Sequence, residues 1–201
     1  MLKKNQIKEI FINKFPQADI LLNEKYIEIK VNNDLVPVAL KDLKEDPKLQ
    51  YNQLIDLTAI DYPSREKRFE IIYLILSMKL NSRVLVKTSV KENENIGSIN
   101  SIHKSSDWYE RECYDLFGIK FLNHPDLRRI MTDYNFEGHP LRKDFPLTGH
   151  TEVRYDEFEK KVVYEPVKLT QEYRNFDYMS PWEGFENELV GDEKSKKDSK
   201  E

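Results

Sequence analysis

Apolar residues recur along this chain with two different periods, and each change of period marks a predicted element. From Lys3 to Phe15, the residues Ile7, Ile10, Phe11 and Lys14 or Phe15 follow a helical spacing that Pro16 closes. Tyr26 to Val31 alternates, with Ile27, Ile29 and Val31 on one side, and Asn32-Asn33-Asp34 is a turn signal. Leu35 to Val38 then predicts a second strand, placed at an edge by Pro37, which has no ladder donor. Ala39 to Thr58 reads as helix broken at Asp46-Pro47. Leu40 and Leu43 serve its first piece; Tyr51, Leu54, Ile55 and Leu57 or Thr58 serve its second. After a turn at Asp61-Tyr62-Pro63-Ser64, Phe69 to Met78 and Arg83 to Val90 predict a hairpin through Asn81-Ser82. Ile71 to Leu76 is apolar throughout, the pattern of a central strand covered on both faces. Asn93 to Ser106 is a loop with a helical stretch expected near Ile99 to Lys104.

The stretch from Asp107 to Leu147 organises the rest. Asp107 and Glu110 have capping-box spacing, and Gly118 is suited to the left-handed residue that ends a helix. Between them Tyr109, Cys113, Leu116 and Phe117 form one apolar stripe. Glu110, Arg111, Glu112 and Asp115 fill the remainder and read as a charged face, with Arg111 and Asp115 one turn apart. A further reading pairs Glu112 or Asp115 with Arg128 or Arg129, pinning the downstream segment to the helix. Ile119 to Leu122 predicts a short strand. Beyond it the period is lost, while Pro125, Pro140 and Pro146 each bias the residue before them toward extended backbone. Long aperiodic loops are functional or disordered, and Leu127, Ile130, Met131, Tyr134, Phe136, Leu141 and Phe145 argue against disorder. The segment is a strap that needs a surface.

Short antiparallel connections beside helices predict an α+β fold: a two-layer domain with a mixed, mostly antiparallel sheet of about five strands covered by helices, then a long extended C-terminal arm. The expected divisions are residues 1–118 for the domain, 119–184 for an arm with short strands, and 185–201 for a charged, disordered tail. Within the arm, Val153-Arg154-Tyr155 and Lys161 to Tyr164 are expected to pair across Asp156 to Lys160.

Charged residues are 34% of the chain, yet the net charge is only −4, so mixed signs give no reason to expect nucleic acid. The longest apolar run is strand-sized, too short to span a membrane. The opening MLKKNQIKEIF lacks a secretory apolar core and the Arg- and Ser-rich character of a transit peptide, so the chain is expected to act where it is made. A single cysteine, Cys113, cannot supply four thiolates to an iron–sulfur cluster, and on the apolar stripe it reads as a small buried hydrophobe. Histidines 103, 124, 139 and 150 have no zinc spacing, and no glycine-rich nucleotide or flavin loop is present. Arg128, Arg129, Arg142 and Lys143 alternate with Asp126, Asp133 and Asp144, which suits salt bridges at a protein interface better than a phosphate site.

The run Glu110-Arg111-Glu112, Asp115-Leu116-Phe117, His124 and Arg128-Arg129-Ile130-Met131 resembles the signature of the C subunit of respiratory complex I, the proton-pumping NADH:quinone oxidoreductase. Its organelle-encoded form is called subunit 9. DYPSREKRFE upstream and EGHPLRKDFPL and SPWE downstream extend the resemblance over roughly Leu54 to Gly184. It implies a chain that is part of an enzyme complex but not itself catalytic, and that binds neither metal nor cofactor. FMN and iron–sulfur clusters would sit in partner subunits; the partners it implies are chiefly the D subunit and also B and I. It implies a peripheral place on the cytoplasmic face of a bacterial inner membrane, or the matrix face in a mitochondrion. It also implies partner contacts through Glu110, Arg111, Glu112, Asp115, His124, Arg128, Arg129, His139, Pro140, Arg142, Lys143 and Asp144. Two alternatives are the equivalent subunit of a membrane-bound hydrogenase complex and a small acid–base enzyme using Glu112 with His124.

Overall fold

The computed structural model describes residues 4–23, 25–169 and 171. The SPWE block and the charged tail 185–201 lie outside the described residues. The chain divides into two compact units, one ending at His150 and one beginning at Thr151.

The first unit is built on a five-stranded sheet in the order β1-β2-β5-β4-β3. Helix α1 (Lys4–Lys14) buries Ile7 and Phe11. Strand β1 (Asp19–Leu22) comes next and pairs antiparallel with β2 (Ile27–Lys30), which runs parallel to β5 (Ser82–Val90). β5 pairs antiparallel with β4 (Phe69–Ser77), and β4 with β3 (Gln53–Asp61). The mixed, mostly antiparallel α+β sheet expected from the sequence is therefore present. Its buried face carries Ile27, Ile29, Leu57, Phe69, Ile71, Tyr73, Ile75, Val84 and Val86, joined in one core with Leu40 and Leu43 of helix α2 (Val36–Glu45) and Leu49 and Tyr51 after it.

Four local expectations change. Leu35 to Val38 is not a strand: a 3₁₀ turn over Asn33–Leu35 leads into α2, with Pro37 in its first turn, where a missing N–H costs nothing. Tyr51 to Thr58 is not helical but belongs largely to β3. A bulge between Leu54 and Asp56 shifts its register, so the buried Leu54, Leu57 and Ala59 fall at helix-like intervals of three and two. β4 is interior, flanked by β5 and β3 as expected, but it is not covered equally on both faces: Ile72, Leu74 and Leu76 on its second face are only half-buried. Residues 99–104 form turns rather than a helix, and the two-residue strand β6 (Ile96–Gly97) precedes them. β1 is an addition to the expected elements.

Helix α3 (Ser106–Phe117) lies along β3. Tyr109 Oη donates to the Ile55 carbonyl at 2.9 Å, and the buried Cys113 Sγ sits 3.7 Å from the Leu57 carbonyl. The left-handed Gly118, at φ 79°, ends the helix as the sequence predicts. The next strand, β7 (Phe121–Leu122), pairs parallel with β6. The second unit contains the expected hairpin, β8 (Thr151–Asp156) and β9 (Lys161–Pro166), antiparallel in register Val153 with Tyr164 and Tyr155 with Val162.

Candidate functional site

Residues 123–150 contain no regular element among those described, yet this strap is held by two aspartates that α3 and the sheet present to it. The first is Asp115, on the side of α3 away from its stripe and fully buried. Its Oδ2 accepts three successive backbone N–H groups, from Ile130 at 3.0 Å, Met131 at 2.7 Å and Thr132 at 2.9 Å. Its Oδ1 accepts the Arg129 guanidinium at 2.7 Å and the Thr132 hydroxyl at 2.5 Å. Burial alone would raise this carboxyl. The Thr132 hydroxyl and N–H, Arg129 and the Met131 N–H outweigh it and hold Asp115 well below the usual carboxylate range. The same helical turn adds its backbone, since His139 Nδ1 donates to the Asp115 carbonyl at 2.8 Å. One turn back, Arg111 donates to the Arg128 and Arg129 carbonyls at 3.1 and 3.2 Å.

The second clasp is Asp61, the last residue of β3. Arg68 grips both of its oxygens, at 2.7 and 2.9 Å, and Asp61 Oδ2 also accepts the Lys143 N–H at 2.8 Å. The Arg68 guanidinium holds the Asp61 carboxyl below the ordinary aspartate value against the effect of burial. Arg68 Nη2 also meets Asp144 at 2.9 Å. Arg142 crosses the remaining gap: its Nε donates to the Phe117 carbonyl at 2.6 Å, and its Nη1 meets Glu92 at 2.8 Å. The Arg68 and Arg142 guanidinium carbons lie 5.3 and 5.2 Å from the centre of the Phe69 ring. Leu141 N–H bonds the Leu116 carbonyl at 3.1 Å, so the half-buried Pro140 stands where the strap rejoins the helix end. Gly118 also leaves room for the two strap side chains that pack over it. A methyl on it would lie 2.5 Å from Arg142 Nη2 and 2.7 Å from His139 Nε2.

Glu110 overturns two expectations, a capping box and a charged surface face. No side-chain cap bond forms at the start of α3, and Glu110 is fully buried. It accepts from Ser98 Oγ at 2.6 Å and Ile99 N–H at 2.8 Å, tying the helix to the end of β6. Burial raises this carboxyl despite those donors. The His124 side chain is closed off from solvent beside it: Nε2 lies 3.1 Å from the Asp107 carbonyl, 3.2 Å from Asp107 Oδ1 and 3.8 Å from Glu110 Oε2. His124 Nδ1 accepts the Asp126 N–H at 3.1 Å, which fixes the neutral tautomer with hydrogen on Nε2. His124 thus meets Asp107 and Glu110 rather than Glu112, the partner an acid–base enzyme was expected to use.

The strap residues singled out by the sequence are therefore brought together, by Asp115 and Asp61, against this chain's own helix and sheet. Of the predicted pairings, Asp115 with Arg129 forms. Arg128 instead meets its neighbour Asp126 at 2.8 Å on the open surface. The Glu112 side chain makes no ion pair or hydrogen bond among the described residues. Asp61, Arg68, Glu92, Ser98 and Thr132 were not anticipated as partners. Asp61 and Arg68 sit within or beside the DYPSREKRFE block, the one signal that could have found them. Among the described residues no group of three or more His, Cys, Asp or Glu side chains is placed to hold a metal, and no helix is long and apolar enough to cross a membrane.

The hairpin of the second unit presents a different surface. By its register, Val153 and Tyr155 share one face with Val162, and these are 57%, 59% and 54% exposed. Phe158 at its tip is fully exposed. The opposite face carries the Arg154–Glu165 pair at 2.5 Å. A two-stranded ribbon with a bare apolar face is marginal in water on its own.

Comparison with known proteins gives a consistent picture. Residues 29–151 match the family described as "Respiratory-chain NADH dehydrogenase, 30 Kd subunit". The C subunit of NADH-quinone oxidoreductase from Ruegeria pomeroyi is 53% identical over 182 residues, covering 89% of this chain and 91% of that protein. Its counterpart from Jannaschia sp. is 59% identical over 153 residues, covering 76% of this chain and 74% of that one. Among solved structures, a chain of the membrane-bound sulfane sulfur reductase, an archaeal respiratory membrane complex, superposes with a TM-score of 0.63 at 25% identity. That likeness covers 73% of this chain and 87% of the other. The family match begins in β2 and runs through α3, both clasps and the strap, so the chain belongs to the family of the 30 Kd subunit of respiratory-chain NADH dehydrogenase.

Proposed function

We propose that this chain is the C-type subunit of the peripheral arm of an NADH:quinone oxidoreductase and that its contribution is positional. The complex passes electrons from NADH through FMN and iron–sulfur clusters to quinone, coupled to proton translocation. This chain holds neighbouring subunits in register, chiefly the D subunit and also B and I, on the cytoplasmic face of a bacterial inner membrane or the matrix face of a mitochondrial one. It binds no cofactor of its own; the redox groups belong to its partners.

One observation carries this reading: the β8–β9 ribbon, with Val153, Tyr155, Val162 and Phe158 bare. Apolar surface of this kind is stabilised when a partner covers it. The strap, by contrast, is already seated on its own helix, so the need for a partner falls on the hairpin. The membrane-bound sulfane sulfur reductase indicates that the fold serves a second kind of respiratory complex. The higher identity to NADH-quinone oxidoreductase subunits favours the first.

Purification of the chain from native membranes, with FMN and iron assays, tests the assignment. Hydrogen exchange then compares residues 151–166 in the free chain and in the complex. Free exchange in isolation and protection in the complex are expected. Full protection in the isolated monomer contradicts the ribbon's role, and a partner set without FMN and iron contradicts the assignment itself.

A further inference from the structure

A second unpartnered surface lies in the first unit, on the outer face of α3. A groove of about 520 Å³ runs there between the helix and the strap. Trp108 and Met131 form its walls and are 68% and 64% exposed. Its shape is set in advance. Tyr109 in its lining is fixed by the bond to the Ile55 carbonyl, Met131 by its N–H bond to Asp115, and the strap backbone beside it by Arg111. The backbone on both sides of the groove is thus held in place before a ligand enters it.

Three charges line the groove, and two are engaged. Lys104 Nζ reaches Asn100 Oδ1 at 3.4 Å, and Asp107 Oδ1 faces His124 at 3.2 Å. Glu112 is half-buried, and its side chain makes no ion pair or hydrogen bond among the described residues. It stands one helical turn after Trp108, on the same face. An exposed indole beside a carboxylate that makes no ion pair among the described residues favours a planar cation, which can stack on the ring and fork onto the carboxylate. Asp107 and Glu112 outnumber Lys104 in the lining, and on a chain of net charge −4 this balance disfavours phosphate groups, which speaks against a nucleic acid or an anionic lipid.

We propose that this groove is a docking site for an arginine on a partner polypeptide: the guanidinium stacks on Trp108 and pairs with Glu112, and an adjoining aliphatic residue packs on Met131. The proposal deepens the positional role and rests on it.

The experiment isolates the assembly from membranes carrying the wild-type chain, Glu112→Gln, Glu112→Lys or Trp108→Ala. The expected result is a loss of co-isolated partner subunits of about tenfold or more for Glu112→Lys, with a smaller loss for Glu112→Gln and for Trp108→Ala. Each free variant should melt as the wild type does. Trp108 is mostly exposed, so its variant keeps the test open should Glu112→Lys fail to fold. Wild-type recovery of partners with Glu112→Lys, or with Trp108→Ala where only that variant folds, overturns the groove proposal alone. A wild-type chain that brings down no partner subunits overturns the role on which it rests.

Discussion

Asp115→Asn removes one charge and turns one acceptor into a donor at the point where α3 holds the strap. The carboxylate accepts five hydrogen bonds, three of them from consecutive backbone N–H groups. An amide oxygen in the Oδ2 position keeps those three and leaves an NH₂ group facing the Arg129 guanidinium. The flipped amide keeps Arg129 and points NH₂ at the three N–H groups. Neither orientation satisfies the site. The Asp115 side chain has no exposure and that of Arg129 has 21%, so the guanidinium loses its partner in a largely enclosed place. Breaking a pair of this kind costs about 3–5 kcal/mol.

At about 2–4 °C per kcal/mol for a unit of this size, that loss lowers the melting temperature by roughly 6–20 °C if the strap unfolds with its domain. If the strap opens first, the loss appears locally instead. The amides of Ile130, Met131 and Thr132 then exchange about 100- to 5,000-fold faster while the core stays protected. Asp126→Asn serves as the control. Its pair with Arg128 is 57% and 62% exposed, and pairs of that kind contribute about 0–1 kcal/mol. The depressed Asp115 carboxyl sets the sign of the pH effect. Its contribution is complete above the ordinary aspartate value of about 4 and is lost as pH falls toward the lower folded value. Unchanged melting together with unchanged exchange at those three amides would refute this account of the clasp.

Two further outcomes follow, one from the second clasp and one from a buried histidine. Arg142→Ala removes the bonds to the Phe117 carbonyl and Glu92 and loosens the second clasp by about 1–3 kcal/mol. The amount of assembled complex should fall while turnover per assembled complex stays at the wild-type level, and normal assembly with lost quinone reduction would sink the positional reading. His103 is buried, and burial with nearby Lys44 lowers it to about 4. Its contribution is full above the ordinary imidazole value of 6.5 and declines between there and about 4, on the order of 3 kcal/mol in all. Chemical denaturation across that range should show the decline in the wild type and a flatter profile in His103→Gln; equal slopes would contradict it.

Sequence pattern revealed elements wherever one face is buried with an undisturbed period. The β4–β5 hairpin and α3 with its terminal glycine were legible for that reason, and the β8–β9 ribbon through its alternation about a polar turn, although neither of its faces is buried. β3 was not, because the bulge at Leu54/Asp56 turns a two-residue period into something that imitates a helix. β1 gave no signal, since its edge position leaves Asp19, Leu21 and Leu22 exposed and erases the alternation. The site divides along the same physical line. That Asp115 could pin Arg129 is readable from charge and helical position. That its other oxygen gathers three successive backbone N–H groups depends on the path of residues 130–132, which no side-chain pattern encodes. Glu110 failed differently: helical spacing shows which way a residue points but not what waits there, and the Ser98–Ile99 corner arrives from β6. The strap's need for a surface was sound reasoning from composition. Its main surface is α3 and the sheet end, which shifts the demand for a neighbour onto the ribbon and the Trp108 groove, where apolar side chains remain uncovered.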